Sequence, residues 1–149
     1  MNHTIIEENG FKYVEVGEGE VLMLLHGLFG ALSNFYDIIE GFKKTHKVVI
    51  PILPLYDLPI EETTVGGYVN YVERFVAYKG YQKVIVLGNS LGGHIALIYA
   101  LANPDKIKGV VLTGSSGLSE SAMGDSYPKR GDYDYITKKA ELTIYDSKF

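Results

Sequence analysis

The sequence predicts an α/β fold in which a mostly parallel sheet carries helices on both faces. Three observations point there. Short runs rich in Val, Leu, Ile and Met recur at residues 21–25, 48–53, 84–87 and 107–112, the pattern of strands buried on both faces. Stretches with helical spacing of apolar residues lie between them. Glycine-containing turns close the ends of the apolar runs, as right-handed strand–helix–strand units require.

The elements follow in order. Residues 11–16 alternate apolar and polar, the period of a half-buried strand, and Gly17-Glu18-Gly19-Glu20 follows as a tight turn. The buried run at 21–25 ends in His26-Gly27-Leu28-Phe29-Gly30. Phe35, Ile38, Ile39 and Phe42 then fall on one face of a helix. After the run at 48–53, Pro51, Pro54 and Pro59 predict an extended loop. Val65, Tyr68, Val69, Val72, Phe75 and Val76 make a second helical stripe, with Thr64 as its N-cap and Gly80 as its stop. The run at 84–87 leads directly into Gly88-Asn89-Ser90-Leu91-Gly92-Gly93, and an almost wholly apolar helix continues to about Ala102, where Asn103-Pro104 ends it.

From Ser115 onward the composition turns to Gly, Ser, Asp, Lys and Tyr. Residues 1–118 therefore read as the N-terminal part of a sheet-based core. Residues 119–149 read as the beginning of a cap or lid, with one helix possible over 132–145.

Composition narrows the function. The chain has 149 residues, 46% of them hydrophobic and 21% charged, with a formal net charge of −4. No basic stripe is present to neutralise phosphates, so no nucleic-acid partner is expected. The absence of cysteine rules out disulfides and thiolate metal sites. The N-terminus lacks the pattern of a signal peptide, and no apolar run has the length of a membrane span. The expected compartment is the cytoplasm. No His/Asp/Glu cluster has metal-ligand spacing, and a Gly-x-Gly-x-x-Gly loop is absent, so no metal or cofactor is expected.

Gly88-Asn89-Ser90-Leu91-Gly92 matches the G-x-S-x-G nucleophile elbow. The chemistry asks for that spacing. A serine on a sharp strand-to-helix turn projects its hydroxyl at the carboxyl end of the sheet, and Gly88 and Gly92 must be small or strand and helix collide. The first amide of the following helix, that of Leu91, is a free donor assisted by the helix dipole. Ser90 is thus the candidate nucleophile. A glycine-rich strand–helix turn with an incidental serine is the plainer alternative, and the motif at 26–30 weighs against it.

With these two motifs the chain resembles the α/β-hydrolase superfamily over about residues 11–118, in particular its serine esterases and meta-cleavage-product hydrolases. The resemblance implies an oxyanion hole formed by the Leu28 and Leu91 amides, with His26 and Gly27 structural in the loop that carries Leu28. Phe29, Ser116 and Leu118 are expected to wall an apolar substrate pocket. Leu28-Phe29-Gly30 stands where the meta-cleavage enzymes carry a Gly-Pro-Gly type of loop, and Leu55-Tyr56 stand where the family makes a glycine turn. The expectation is accordingly a serine hydrolase that transfers an acyl group from a small hydrophobic ester. Carbon–carbon bond hydrolysis is the alternative within enzymes, and a non-catalytic ligand- or partner-binding member of the fold is the alternative outside them.

The family order is Ser, then acid, then His, yet no histidine follows His94. His94 lies one helical turn past Ser90 and faces away from its working side, His46 precedes a strand at the amino-end face, and His3 is in the tail. The expected partner is therefore a complementary C-terminal polypeptide carrying the acid and the histidine, together with the strands that would complete the core. This fragment alone is expected to be inactive.

Overall fold

A computed structural model describes residues 3–28 and 32–118, within one unit spanning Met1–Leu118. Its strands are β1 (Ile6–Glu8), β2 (Phe11–Val16), β3 (Glu20–Leu25), β4 (His46–Pro51), β5 (Val84–Asn89) and β6 (Ile107–Thr113). The α-helices are α1 (Tyr36–Phe42), α2 (Val65–Lys79) and α3 (Leu91–Ala102). The sheet order is β1-β2-β4-β3-β5-β6. The pairs β3–β4, β3–β5 and β5–β6 are parallel, and the β1–β2 hairpin joins antiparallel through β2 against β4. This is the mostly parallel α/β architecture that the apolar runs predict. The cap or lid reading of residues 119–149, including a helix over 132–145, lies outside the described residues, as does Phe29.

Strand alternation builds the two layers. Leu22 and Leu24 point to one face, where they meet Phe35 and Ile39 beside α1. Met23 and Leu25 point to the other, against α2 and α3, with Phe75, Val72, Ile95 and Tyr99. Helix α2 has the predicted boundaries. The Gly67 amide donates to the Thr64 hydroxyl at 3.1 Å, and Gly80 closes the helix in the left-handed region at φ 67°.

Four details differ from the sequence reading. The hairpin strand β1 was not expected, because its three residues are too few to show a period. The helix around residue 35 begins as a 3-10 turn (Leu32–Phe35), and Phe42 lies exposed at its end, edge-on to His46. Leu53 lies past the end of β4, its amide taken by a side chain instead of a strand. Strand β6 is not fully buried: Val110 and Val111 are exposed, because it forms one edge of the sheet among the described residues.

Candidate active site

The parallel strands β3 and β5 lie side by side, with Leu25 paired to Gly88. Both chains therefore leave the sheet at the same rim, one into His26-Gly27-Leu28 and the other into Asn89-Ser90-Leu91.

Ser90 stands between β5 and α3 with φ 55° and ψ −119°. Apart from Asn9 it is the one non-glycine residue with positive φ among the described residues, a conformation that costs on the order of 1–3 kcal/mol and is held by its surroundings. A serine at a helix N-terminus ordinarily caps the helix with its hydroxyl. Here the side chain makes no cap bond, and Ser90 is exposed. The strained backbone thus aims the hydroxyl away from the helix it precedes.

The neighbouring glycines show why the turn can close. A Cβ on Gly88 would lie 2.3 Å from the Gly92 carbonyl oxygen, and one on Gly92 would lie 2.0 Å from the Leu25 carbonyl oxygen. Helix α3 is packed backbone to backbone on the ends of two strands. Gly27 abuts the serine itself, since a Cβ there would meet the Ser90 Cβ at 3.0 Å and its hydroxyl oxygen at 3.4 Å. The chain segment leading to the Leu28 amide is therefore in contact with the candidate nucleophile. Neither the Leu28 nor the Leu91 amide is engaged by another described residue, and the Leu28 side chain is half exposed.

Among the described residues, His26 is the one buried polar side chain apart from the tyrosines. Its Nε2 accepts from the Leu53 amide at 2.9 Å, so Nδ1 carries the proton and donates to the Gly27 carbonyl, also at 2.9 Å. The ring ties the loop after β3 to the loop after β4. Burial holds its pKa below the usual histidine value, which suits the neutral tautomer this geometry demands. With both ring nitrogens engaged, His26 has no free nitrogen to offer Ser90. His46 bonds the Thr45 hydroxyl at the amino end of β4, and His94 packs its ring against Gly117. Among the described residues, no imidazole hydrogen-bonds the Ser90 hydroxyl.

The turn after β6 supports the elbow from behind. The Ser90 amide donates to the Thr113 carbonyl at 3.1 Å, and the Ser90 carbonyl accepts from the amides of Gly93, His94 and Ser116 at 3.0, 3.3 and 3.2 Å. The Asn89 side-chain amide reaches the Thr113 hydroxyl at 3.0 Å. Ser116 thus braces the Ser90 backbone in addition to whatever it presents to a pocket. Leu118 is exposed. Sequence reasoning missed Asn89 and Thr113 as parts of the site. The available signal was the length of β6, which continues one residue past its apolar run to reach the elbow. No group of three or more His, Cys, Asp or Glu residues that could hold an ion occurs among the described residues.

The family model for the alpha/beta hydrolase fold matches residues 20–140. The chain belongs to the alpha/beta hydrolase family. It is 33% identical over 117 residues to the 2-hydroxy-6-oxononadienedioate/2-hydroxy-6-oxononatrienedioate hydrolase of Comamonas testosteroni, covering 72% of this chain and 40% of that protein. It is 30% identical over 128 residues to the soluble epoxide hydrolase of Corynebacterium sp. (strain C12), covering 80% of this chain and 43% of that protein. Among solved structures it superposes with a TM-score of 0.75 and 42% identity on MGS-MChE2, an alpha/beta hydrolase from the metagenome of sediments from the lagoon of Mar Chica, over 93% of this chain and 57% of that one. The chain thus spans less than half the length of the two curated relatives. Within this alpha/beta hydrolase the matched region takes in both rim motifs, at residues 26–30 and 88–92. No helix among the described residues is long and apolar enough to cross a membrane.

Proposed function

We propose that this alpha/beta hydrolase segment supplies the nucleophile and oxyanion hole of a serine hydrolase acting on a small hydrophobic ester. The observation that carries the reading is the Ser90 hydroxyl, freed from capping by a positive φ and placed against the loop that leads to the Leu28 amide. In the reaction, the Ser90 oxygen bonds to the ester carbonyl carbon while a general base takes its proton. The Leu28 and Leu91 amides stabilise the oxyanion, the alkoxide leaves with that proton, and water then releases the acid from the acyl-serine. No described imidazole serves as the base, since both ring nitrogens of His26 are engaged and none bonds the Ser90 hydroxyl, so this reading takes the base and its orienting carboxylate from polypeptide other than the described residues.

The nucleophile's chemistry separates this reading from that of the epoxide-hydrolase relatives. A serine that opened an epoxide would be left as an ether, which water does not cleave under these conditions, whereas an acyl-serine is hydrolysable. Ser90 therefore suits a carbonyl substrate. Carbon–carbon bond hydrolysis of a vinylogous diketone is the second reading, favoured by the identity to the Comamonas testosteroni enzyme.

The test is turnover of p-nitrophenyl butyrate by the chain alone, and by a chimaera in which the C-terminal part of MGS-MChE2 follows residue 118. The chain alone is expected to be silent and the chimaera active, with activity lost in Ser90→Ala. Ser90-independent turnover by the chimaera would refute the nucleophile. Ser90-dependent turnover by the chain alone would refute the need for a complement. Leu28→Pro, which deletes one proposed oxyanion donor, is expected to lower kcat by about 10²–10³-fold. Activity on a vinylogous diketone but not on the ester would select the second reading.

A further inference from the structure

Thr113, the last residue of β6, is the hub of the turn that carries Ser90. Residues 88, 89 and 90 each bond to it. The Ser90 amide donates to the Thr113 carbonyl at 3.1 Å. The Asn89 side-chain amide donates to that same carbonyl at 3.2 Å and to the Thr113 hydroxyl at 3.0 Å. The Thr113 hydroxyl in turn donates to the Gly88 carbonyl at 3.4 Å. Strands β5 and β6 are parallel and pair Asn89 with Thr113 in register, so the two side chains stand on the same face of the sheet.

The polarity of this contact is fixed. A carbonyl oxygen only accepts, so the atom of Asn89 that meets it is the amide nitrogen, which has two protons for two acceptors. An aspartate of the same size would set a carboxylate oxygen against the carbonyl oxygen and be repelled. Ser90 holds φ 55°, and such a conformation persists only where its surroundings over-determine it. On its downstream side, the Ser90 carbonyl is held by the amides of Gly93, His94 and Ser116. On its upstream side, the Ser90 amide is held by the Thr113 carbonyl, and Asn89 holds that carbonyl in turn.

We infer that Asn89 is a positioning residue: by gripping Thr113 with both side-chain protons, it locks the end of β5 to the end of β6 and keeps the Ser90 backbone in the geometry that aims the hydroxyl. Its effect on catalysis rests on Ser90 as the nucleophile, whereas its effect on the Ser90 backbone does not. The decisive variant is Asn89→Asp, with Thr113→Val and Thr113→Ser beside it. The Ser90 backbone angle is read in the 15N-labelled full chain from the HN–Hα coupling and the intraresidue HN–Hα NOE, which together distinguish positive φ from helical and extended values. Kinetics are read with the MGS-MChE2 chimaera on p-nitrophenyl butyrate. Asn89→Asp is expected to move both Ser90 signals toward negative φ. It is also expected to lower kcat and kcat/KM together by about 10–100-fold, the scale of a misplaced reacting group, with KM unchanged. Thr113→Val, which removes one of the two acceptors, is expected to lower kcat by less, and Thr113→Ser, which keeps the hydroxyl, to restore most of that loss. Thr113 is exposed, so its two variants carry the test even where Asn89→Asp does not fold. The inference is overturned if Asn89→Asp leaves the Ser90 signals unchanged, if it leaves kcat unchanged in a chimaera whose turnover depends on Ser90, if it raises KM alone, or if Thr113→Ser is as impaired as Thr113→Val. Turnover that survives Ser90→Ala while Asn89→Asp still moves the Ser90 signals would refute the nucleophile and leave the clamp standing.

Discussion

The two rims of the sheet are held by opposite means. At the carboxyl rim, the turn around Ser90 is backbone packed on backbone, with Gly88 and Gly92 leaving no room for a Cβ. At the opposite corner, where α2 ends and β2 runs beside β4, side chains do the holding. Lys79 pairs with Glu15 at 2.9 Å and donates to the Tyr13 hydroxyl at 2.9 Å, its ammonium also lying over the Tyr13 ring. The Tyr81 hydroxyl donates to Glu15 at 2.7 Å, and burial together with that bond pushes its pKa well up. The difference teaches where this molecule can tolerate change. Close backbone contact is all or nothing, because carbonyl oxygens cannot move aside. A network of partly exposed polar side chains has alternative partners and loses stability in increments.

Substitutions can break or sharpen that comparison, and the largest effect belongs to the elbow. Gly92→Ala forces a Cβ onto the Leu25 carbonyl, and a loss of about 3 kcal/mol or more is expected, up to failure to fold. Urea denaturation measures it, and a loss below about 1 kcal/mol would mean the rim is softer than its geometry states. At the other corner, Lys79→Met removes one ion pair and one hydrogen bond but leaves Glu15 with Tyr81 and Lys47. About 1–2 kcal/mol is expected, since both charged groups keep some solvent contact.

A smaller effect links the rim to pH. The folded state depresses the His26 pKa, so between the folded value and about 6.5 the unfolded chain binds the proton and the native chain does not. Stability is then full above about pH 6.5 and falls as the pH drops below it, by at most about 1.4 kcal/mol per unit. Melting temperatures between about pH 7.5 and about pH 5 should show this slope, and His26→Gln should flatten it. The smallest effect is a gain. Gly41 lies in α1 with nothing near its missing Cβ, so Gly41→Ala should stabilise the chain by about 0.5–1 kcal/mol. A loss there would show that glycine serves a contact the geometry does not contain.

Much of this was legible in the residues. The strand–turn–helix context of Ser90, the Thr64 cap and the Gly80 stop were all readable, because each depends on neighbours within a few positions. Strand β6 was over-read as buried, since an apolar run does not reveal whether a neighbour covers each face. Phe42 was over-read for a similar reason: its spacing fits the buried face, but α1 ends before that face meets the sheet.

The sequence by itself determined the α/β class, the order of its elements and the elbow, because periodicity, capping and the steric demands of glycine act over short stretches of chain. Tertiary structure alone decided the strand order, which brings β3 beside β5 and sets Gly27 against Ser90. It also decided the bond from the Leu53 amide to His26 across 27 residues and the bracing of Ser90 by Ser116 across 26. Such contacts form when whole layers pack, and no local pattern specifies which distant segment will arrive at a given rim.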